Sequence, residues 1–218
     1  MTAVSLATQI QFVQNMFLGA ITAAGAILGA QYWGKGDRHT LEDIFNMILQ
    51  FCGGVSLLFF LACQLMPGLL MQVFTHDGQL ISIGSSYLRI AGWSYLLTGI
   101  SQCYLTMMKV SDHVKIGALV SSWSVVLNIC LNAVFIFGLL GAPQMQAEGA
   151  ALATTISRMI ELALCIAASK KASYIRPAWS RFTKLPGQLK SDFSKQCLPL
   201  MGGSLCWGVG FTSYTAIM

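Results

Sequence analysis

Asn128 and Asn132, four residues apart in LNICLNAVF, are the residues most able to do chemistry in this chain. At that spacing two side chains share one face of a helix. Their amide oxygens can coordinate a small cation or hydrogen-bond a drug, and the same amides serve as glue between helices. Thr154, Thr155 and Ser157 in GAALATTISR supply hydroxyls that either join such a site or bond back to their own helix carbonyls. Arg158 and Glu161 stand three apart, the spacing of an intrahelical ion pair. Charge at membrane depth is expensive and by default a functional candidate. This pair lies toward one end of its apolar run, where snorkelling is open to it, and reads as structural. Arg89, in SSYLRIAGW, lies early in its span and either snorkels or pairs. Gln9, Gln11, Gln14 and Asn15 make the opening of the first apolar run unusually polar, as expected of a face turned to a water-filled vestibule.

Other chemistries find no support. His39, His76 and His113 fall in predicted loops, which argues against a metal cluster. The 7 cysteines lie in or beside apolar runs with no CxxC pair and read as small buried hydrophobes. There is no HExxH, P-loop, dinucleotide fingerprint or GxSxG elbow, so an enzyme is not expected, and no cofactor beyond a coupling ion.

These residues must be held by membrane helices. The chain is 55% hydrophobic and 10% charged, against about 25% charged in soluble domains. A bilayer crossing needs about 20 apolar residues, so 218 residues allow roughly six. The expected spans are 4–33, 44–74, 80–108, 116–140, 149–168, and one beginning near Cys197. Pro67 is expected to kink the second. The fold class is therefore all-α integral membrane, with about six transmembrane helices.

The basic residues sort by loop. Lys35 and Arg38 follow the first span, Lys109 and Lys115 the third, and Lys170, Lys171, Arg176, Arg181, Lys184, Lys190 and Lys195 the fifth. The loops after the second and fourth spans hold neither Lys nor Arg. Alternation of this kind sets topology: the N-terminus outside, the long basic linker cytoplasmic, in a multi-pass protein of the inner (plasma) membrane. The net charge of +5 is thus assigned to topology and not to nucleic acid. The opening segment has no basic n-region or cleavage site, so an outside N-terminus points to a preceding helix. Trp179, Phe182 and Leu185 among the linker's basic residues fit either a short amphipathic helix on the anionic leaflet or a solvated loop.

Five segments, in order, resemble the multidrug and toxic compound extrusion (MATE) family. GAILGAQYWGKGD, with Gln31, Tyr32, Trp33, Gly34, Gly36 and Asp37, is similar to the cytoplasmic end of the family's second helix. GSSYLRI, VLNICLNAVFIFG, EGAALATTISRMIEL and LPLMGGSLCWGVG are similar to its fourth to seventh helices. The resemblance implies part of a twelve-helix, two-lobe transporter fold: 1–169 an incomplete first lobe of five transmembrane helices, 170–192 the interlobe linker, 193–218 the first helix of the second lobe. It implies alternating-access export of amphipathic organic cations, driven by Na+ or H+. The family's first-lobe cation site maps onto Asn128, Asn132 (where the family has Asp) and Thr154. The acid of the family's first helix has no counterpart here, and Ser204 stands where some members carry a coupling Glu.

The expected function is a fragment of a cation-coupled multidrug antiporter, with small organic cations, the bilayer and the remaining transporter helices as partners. A non-transporting truncated membrane protein is the alternative. A lipid-carrier flippase ranks last, because Arg89 and Arg158 are the only arginines at membrane depth for a pyrophosphate.

Overall fold

Long apolar runs become helices in a bilayer because a helix satisfies its own backbone donors and acceptors where no water is present to do so. The computed structural model describes residues 2–75, 77–138, 145–170, 174–178, 182 and 186–217. Side-chain surroundings are described for fewer of these, from Val4 to Gly208. The described residues form seven helices: α1 (Thr2–Gly34), α2 (Arg38–Leu65), α3 (Pro67–Gln72), α4 (Gly78–Val110), α5 (Val114–Phe137), α6 (Gln146–Ser169) and α7 (Gly187–Ile217). No strand occurs among them.

Local chemistry sets the boundaries. Asp37 caps α2, its carboxylate accepting from the Thr40 backbone N–H at 3.1 Å and the Thr40 hydroxyl at 2.6 Å. Asp77 caps α4 through the Gln79 N–H at 2.9 Å. Gly138 ends α5 with φ of 70°, a left-handed conformation that glycine adopts without steric cost. The expected second span is two helices and not one kinked helix. Met66 breaks the run, and Pro67 opens α3 at a first-turn position where its missing N–H costs nothing. His39 sits in the first turn of α2 and not in a loop; His113 lies in the short loop before α5, as expected; His76 lies outside the described residues.

Four stretches, Val4–Gly34, Arg38–Leu65, Val114–Phe137 and Ala147–Ser169, are long and apolar enough to cross a bilayer by length and composition. Helices α4 and α7 are as long but outside that set. For α4 the reason is its place at the centre of the bundle. It packs on α1, α2, α3, α5 and α6, and buries Ser94, Thr98, Ser101 and Thr106 against them. A helix sheathed by others need not be apolar all round.

The apolar core divides in two. One cluster joins Leu18–Leu28 of α1, Leu41–Cys52 of α2 and Cys103–Val110 of α4. The other joins Ala7 and Ile10 of α1, Cys63, Met71, Tyr87–Tyr95 of α4 and Ala151 of α6. Between them, at mid-height, lies a polar layer. Gln14 on α1 is fully buried, and its Nε2 donates to Ser56 Oγ on α2 (3.2 Å) and to the Tyr95 carbonyl on α4 (2.9 Å).

Helix α7 begins at Gly187, ten residues before the apolar start at Cys197. Leu189, Phe193 and Cys197, one helical turn apart, are buried in the first cluster, and Phe193 stacks on Phe51 at 5.4 Å. The linker before it lies along α2: Asn46 Nδ2 donates to the Ala178 carbonyl (2.9 Å) and Gln50 Nε2 to that of Phe182. Residues 174–178 are not helical. Trp179 and Leu185, of the expected amphipathic pattern, lie outside the described residues. Five cysteines are buried as expected; Cys130 and Cys206 are exposed.

Two predictions follow from this packing. A Cβ on Gly99 would overlap the Ser56 hydroxyl and lie 2.8 Å from Ser56 Cβ and 3.1 Å from the Cys52 carbonyl. Gly99→Leu should therefore cost about 1–3 kcal/mol, read as a lower unfolding temperature in detergent. Gly54→Ala, which meets nothing within 4 Å, should not lower it; equal losses in both variants would contradict the α2–α4 contact. The second concerns acid. Hydrogen bonds from the Thr40 side chain and backbone hold the Asp37 carboxyl below its usual range. Its stabilising effect is present above the ordinary carboxylate pKa and is lost as pH falls through the lowered value. The unfolding-temperature difference between the protein and Asp37→Asn should be flat near neutrality and change only below about pH 4; a change centred near neutral pH would contradict it.

Candidate functional site

Helices α5 and α6 pack along a seam of polar side chains. The i, i+4 spacing puts Ser124, Asn128 and Asn132 on one face of α5, and α6 turns Thr154, Arg158 and Glu161 toward them. Asn132 Nδ2 donates to Asn128 Oδ1 at 3.0 Å, and Asn128 Nδ2 donates to Thr154 Oγ1 at 3.4 Å. The three residues singled out from the sequence thus form one connected group. Thr154 also donates to the Ala150 carbonyl at 2.9 Å, so its hydroxyl serves both the helix and the seam. Thr155 and Ser157 bond back to the Ala151 and Ala153 carbonyls at 2.8 Å each, and Thr155 reaches the Ile90 carbonyl on α4 at 3.3 Å. Asn132 Oδ1 is buried with no hydrogen-bond partner among the described residues. The group offers neutral oxygens suited to a small hard cation and has no carboxylate of its own.

Two turns along α6 lies the charged part of the seam. Arg158 NH1 and Glu161 Oε2 are 2.5 Å apart. Ser124 donates to Glu161 Oε2 at 3.2 Å and to the Ser157 carbonyl at 3.3 Å. The expected ion pair is present. Its carboxylate is 1% exposed and its guanidinium 31%, so the two ends sit in different surroundings. Ser124 was not among the sequence candidates. The signal was its place four residues before Asn128.

Arg158 lines a cavity of about 220 Å³ between α1, α4 and α6, together with Asn15, Thr22, Thr98 and Gln102. Asn15 also borders a more open depression with Thr8, Gln9 and Gln11. The polar opening of α1 therefore faces a concave surface, except for Gln14, which points into the core. Arg89 is exposed on α4, and its carbonyl accepts from Gln64 Nε2 at 2.7 Å. Ser204 lines a separate groove of about 390 Å³ between α1 and α7, with Met16, Pro199 and Trp207.

With this geometry in place, similarity to known proteins becomes informative. The sequence model of the MatE family matches residues 1–134. A probable multidrug resistance protein NorM of Thermotoga maritima is 26% identical over 163 residues, covering 73% of this chain and 34% of the relative. Two solved structures of a multidrug resistance MATE family transporter of the MOP superfamily share the fold at 15% identity. The inward-facing one has a TM-score of 0.81 over 95% of this chain and 47% of its own; the outward-facing one 0.83 over 97% and 46%. The chain thus spans about a third of the curated relative and about half of the solved transporters. A family match over more than half its length, with the helices in the same arrangement, makes this chain a member of the MatE family of membrane transporters.

Proposed function

We propose that this chain forms most of the first lobe of a multidrug antiporter that exports amphipathic organic cations by alternating access, driven by Na+ or H+ moving inward. The observation that carries this reading is the Asn128–Asn132–Thr154 group, joined across α5 and α6, with a buried amide oxygen that has no partner among the described residues. Residues 1–169 act as the lobe, 170–192 as the cytoplasmic linker, and 193–218 as the first helix of the second lobe. The alternation of basic loops supports an outside N-terminus in the inner membrane. The partners in this reading are small organic cations, the lipid bilayer and the helices that complete both lobes. Two-lobe rocking about a mid-membrane site needs both lobes, so transport belongs to the assembled protein. In this reading the site serves transport and not enzymatic turnover, since its amides and hydroxyls suit binding.

The test is export of a fluorescent cationic dye from cells lacking their own exporters. Cells making these 218 residues together with helices completing both lobes should export it, and cells making the 218 residues alone should not. In the complete transporter, Asn128→Ala and Thr154→Ala should each lower export about tenfold at unchanged membrane abundance, the effect of losing one ligand or hydrogen bond to a charged species. Export by the 218 residues alone, or indifference to both substitutions, would overturn the proposal.

A further inference from the structure

The amide and hydroxyl group of the upper seam can hold a cation, but none of its members titrates near neutral pH. A proton-driven lobe needs a group that can take up a proton at membrane depth. Of the 8 acidic residues, Asp37, Asp77 and Asp112 sit at helix ends or turns, Glu42, Asp43, Glu148 and Asp192 in the first turns or so of helices, and Glu161 alone in the middle of one. Glu161 is on the same seam as the Asn128 group, at the polar mid-height of the bundle. Its carboxylate is already held by two donors, Arg158 and Ser124. A metal ion would need several more oxygens around it, whereas a proton needs one lone pair.

Arg158 has polar surroundings on its other side as well. A salt bridge buried on both sides has no reason to open. Here Arg158 borders the 220 Å³ cavity, whose wall combines four polar side chains with Leu18 and Gly19. Thr22 donates its proton to the Leu18 carbonyl and Thr98 to that of Ser94, which leaves both hydroxyl oxygens free to accept. Asn15 and Gln102 add amide oxygens. Arg158 therefore has two polar positions within reach: paired with Glu161, or turned into the bay.

We propose that Glu161 is the proton-binding residue of this lobe and that Arg158 is its resident counter-charge, released into the bay between α1, α4 and α6 when the proton arrives. This rests on the reading of the chain as part of a cation-coupled exporter and names the ion. The step balances simply. A proton from water adds to a Glu161 carboxylate oxygen, the N–H···O bond from Arg158 breaks, and the guanidinium keeps its charge. The site passes from neutral to +1, which repels an organic cation, so proton and substrate exclude each other as antiport requires. The proton's way in is the polar face of α1, Thr8, Gln11 and Asn15, which reaches the bay at Asn15. Few other groups bear on the titration. Cys165 is the next titratable group on α6, with Tyr104 of α4 beside it. Helix α5 carries only Lys115, in its first turn, and α1 carries no charged residue. The charged groups of α4 are Arg89 and Lys109, away from mid-height.

The test is an infrared pH titration of the 218-residue chain in lipid vesicles, read at the carboxylic-acid carbonyl band as a difference from Glu161→Gln. A single protonation should appear in the difference. In Arg158→Gln, where the counter-charge is gone, its midpoint should move to higher pH by more than one unit, a tenfold rise in proton affinity. Arg158→Lys should keep the midpoint within half a unit of the original. The neutral pair Glu161→Gln with Arg158→Gln controls for folding and should show no band. An unchanged midpoint in Arg158→Gln, or no Glu161-dependent band, overturns the proposal. Dye export by the complete transporter separates the two readings. If a pH gradient drives export equally in the protein and in Glu161→Gln, the exporter reading stands and the proton site is wrong. If no cation gradient drives export in any variant, the exporter reading fails.

Discussion

An unpartnered polar group in hydrocarbon costs several kcal/mol, and that constraint organises this bundle. Apolar clusters fill its two ends. Between them lies a layer of amides, hydroxyls and one ion pair that must satisfy one another across helices. Gln14 ties α1 to α2 and α4. Thr155 ties α6 to α4. Ser124 and Asn128 tie α5 to α6, and Asn132 bonds to Asn128 along α5. Van der Waals contact between lipid-facing helices discriminates poorly among arrangements, whereas these bonds fix which faces meet and at what height.

The same constraint makes the site. Gly99 lets α2 and α4 approach until Ser56 and Gln14 come within bonding distance, and the close approach of α6 to α5 does the same for Asn128 and Thr154. The buried polar atoms of this layer without a partner among the described residues include Gln14 Oε1 and the Tyr95 hydroxyl as well as one amide oxygen of the seam. Asn132 Oδ1 is buried without a partner among the described residues, and Arg158 faces a polar bay that its bond to Glu161 does not fill. Asn132 and Arg158 share the α5–α6 seam, whereas Gln14 and Tyr95 lie where α1 meets α4. Function in such a protein resides where polar satisfaction is incomplete, because only there can an ion or substrate supply what the fold leaves out.

Much of this was legible in the residues themselves. Hydropathy marked α1, α2, α4, α5 and α6, and the i, i+4 and i, i+3 spacings marked Asn128–Asn132 and Arg158–Glu161. What was missed has physical causes. The first ten residues of α7, GQLKSDFSKQ, are polar on average, yet Leu189 and Phe193 lie one turn apart and bury one face; mean hydropathy hides a stripe that periodicity would have found. Gln14 was grouped with Gln9, Gln11 and Asn15 because they are close in sequence, although the helix turns Gln14 into the core. Ser124 is one small hydroxyl among apolar residues, informative only once Glu161 is seen opposite it. Pro67 signalled a break, but only tertiary packing decides between a kink and two helices.

Helices α5 and α6 are joined by their polar seam and not merely side by side. A double-mutant cycle of Asn128→Ala and Thr154→Ala, read by unfolding of the chain in detergent, tests it most directly. A coupling of about 0.5–1 kcal/mol between the two positions is the predicted result, the range found for hydrogen bonds between membrane helices. Strictly additive losses, with no coupling, would mean that the two side chains do not meet and would contradict the account.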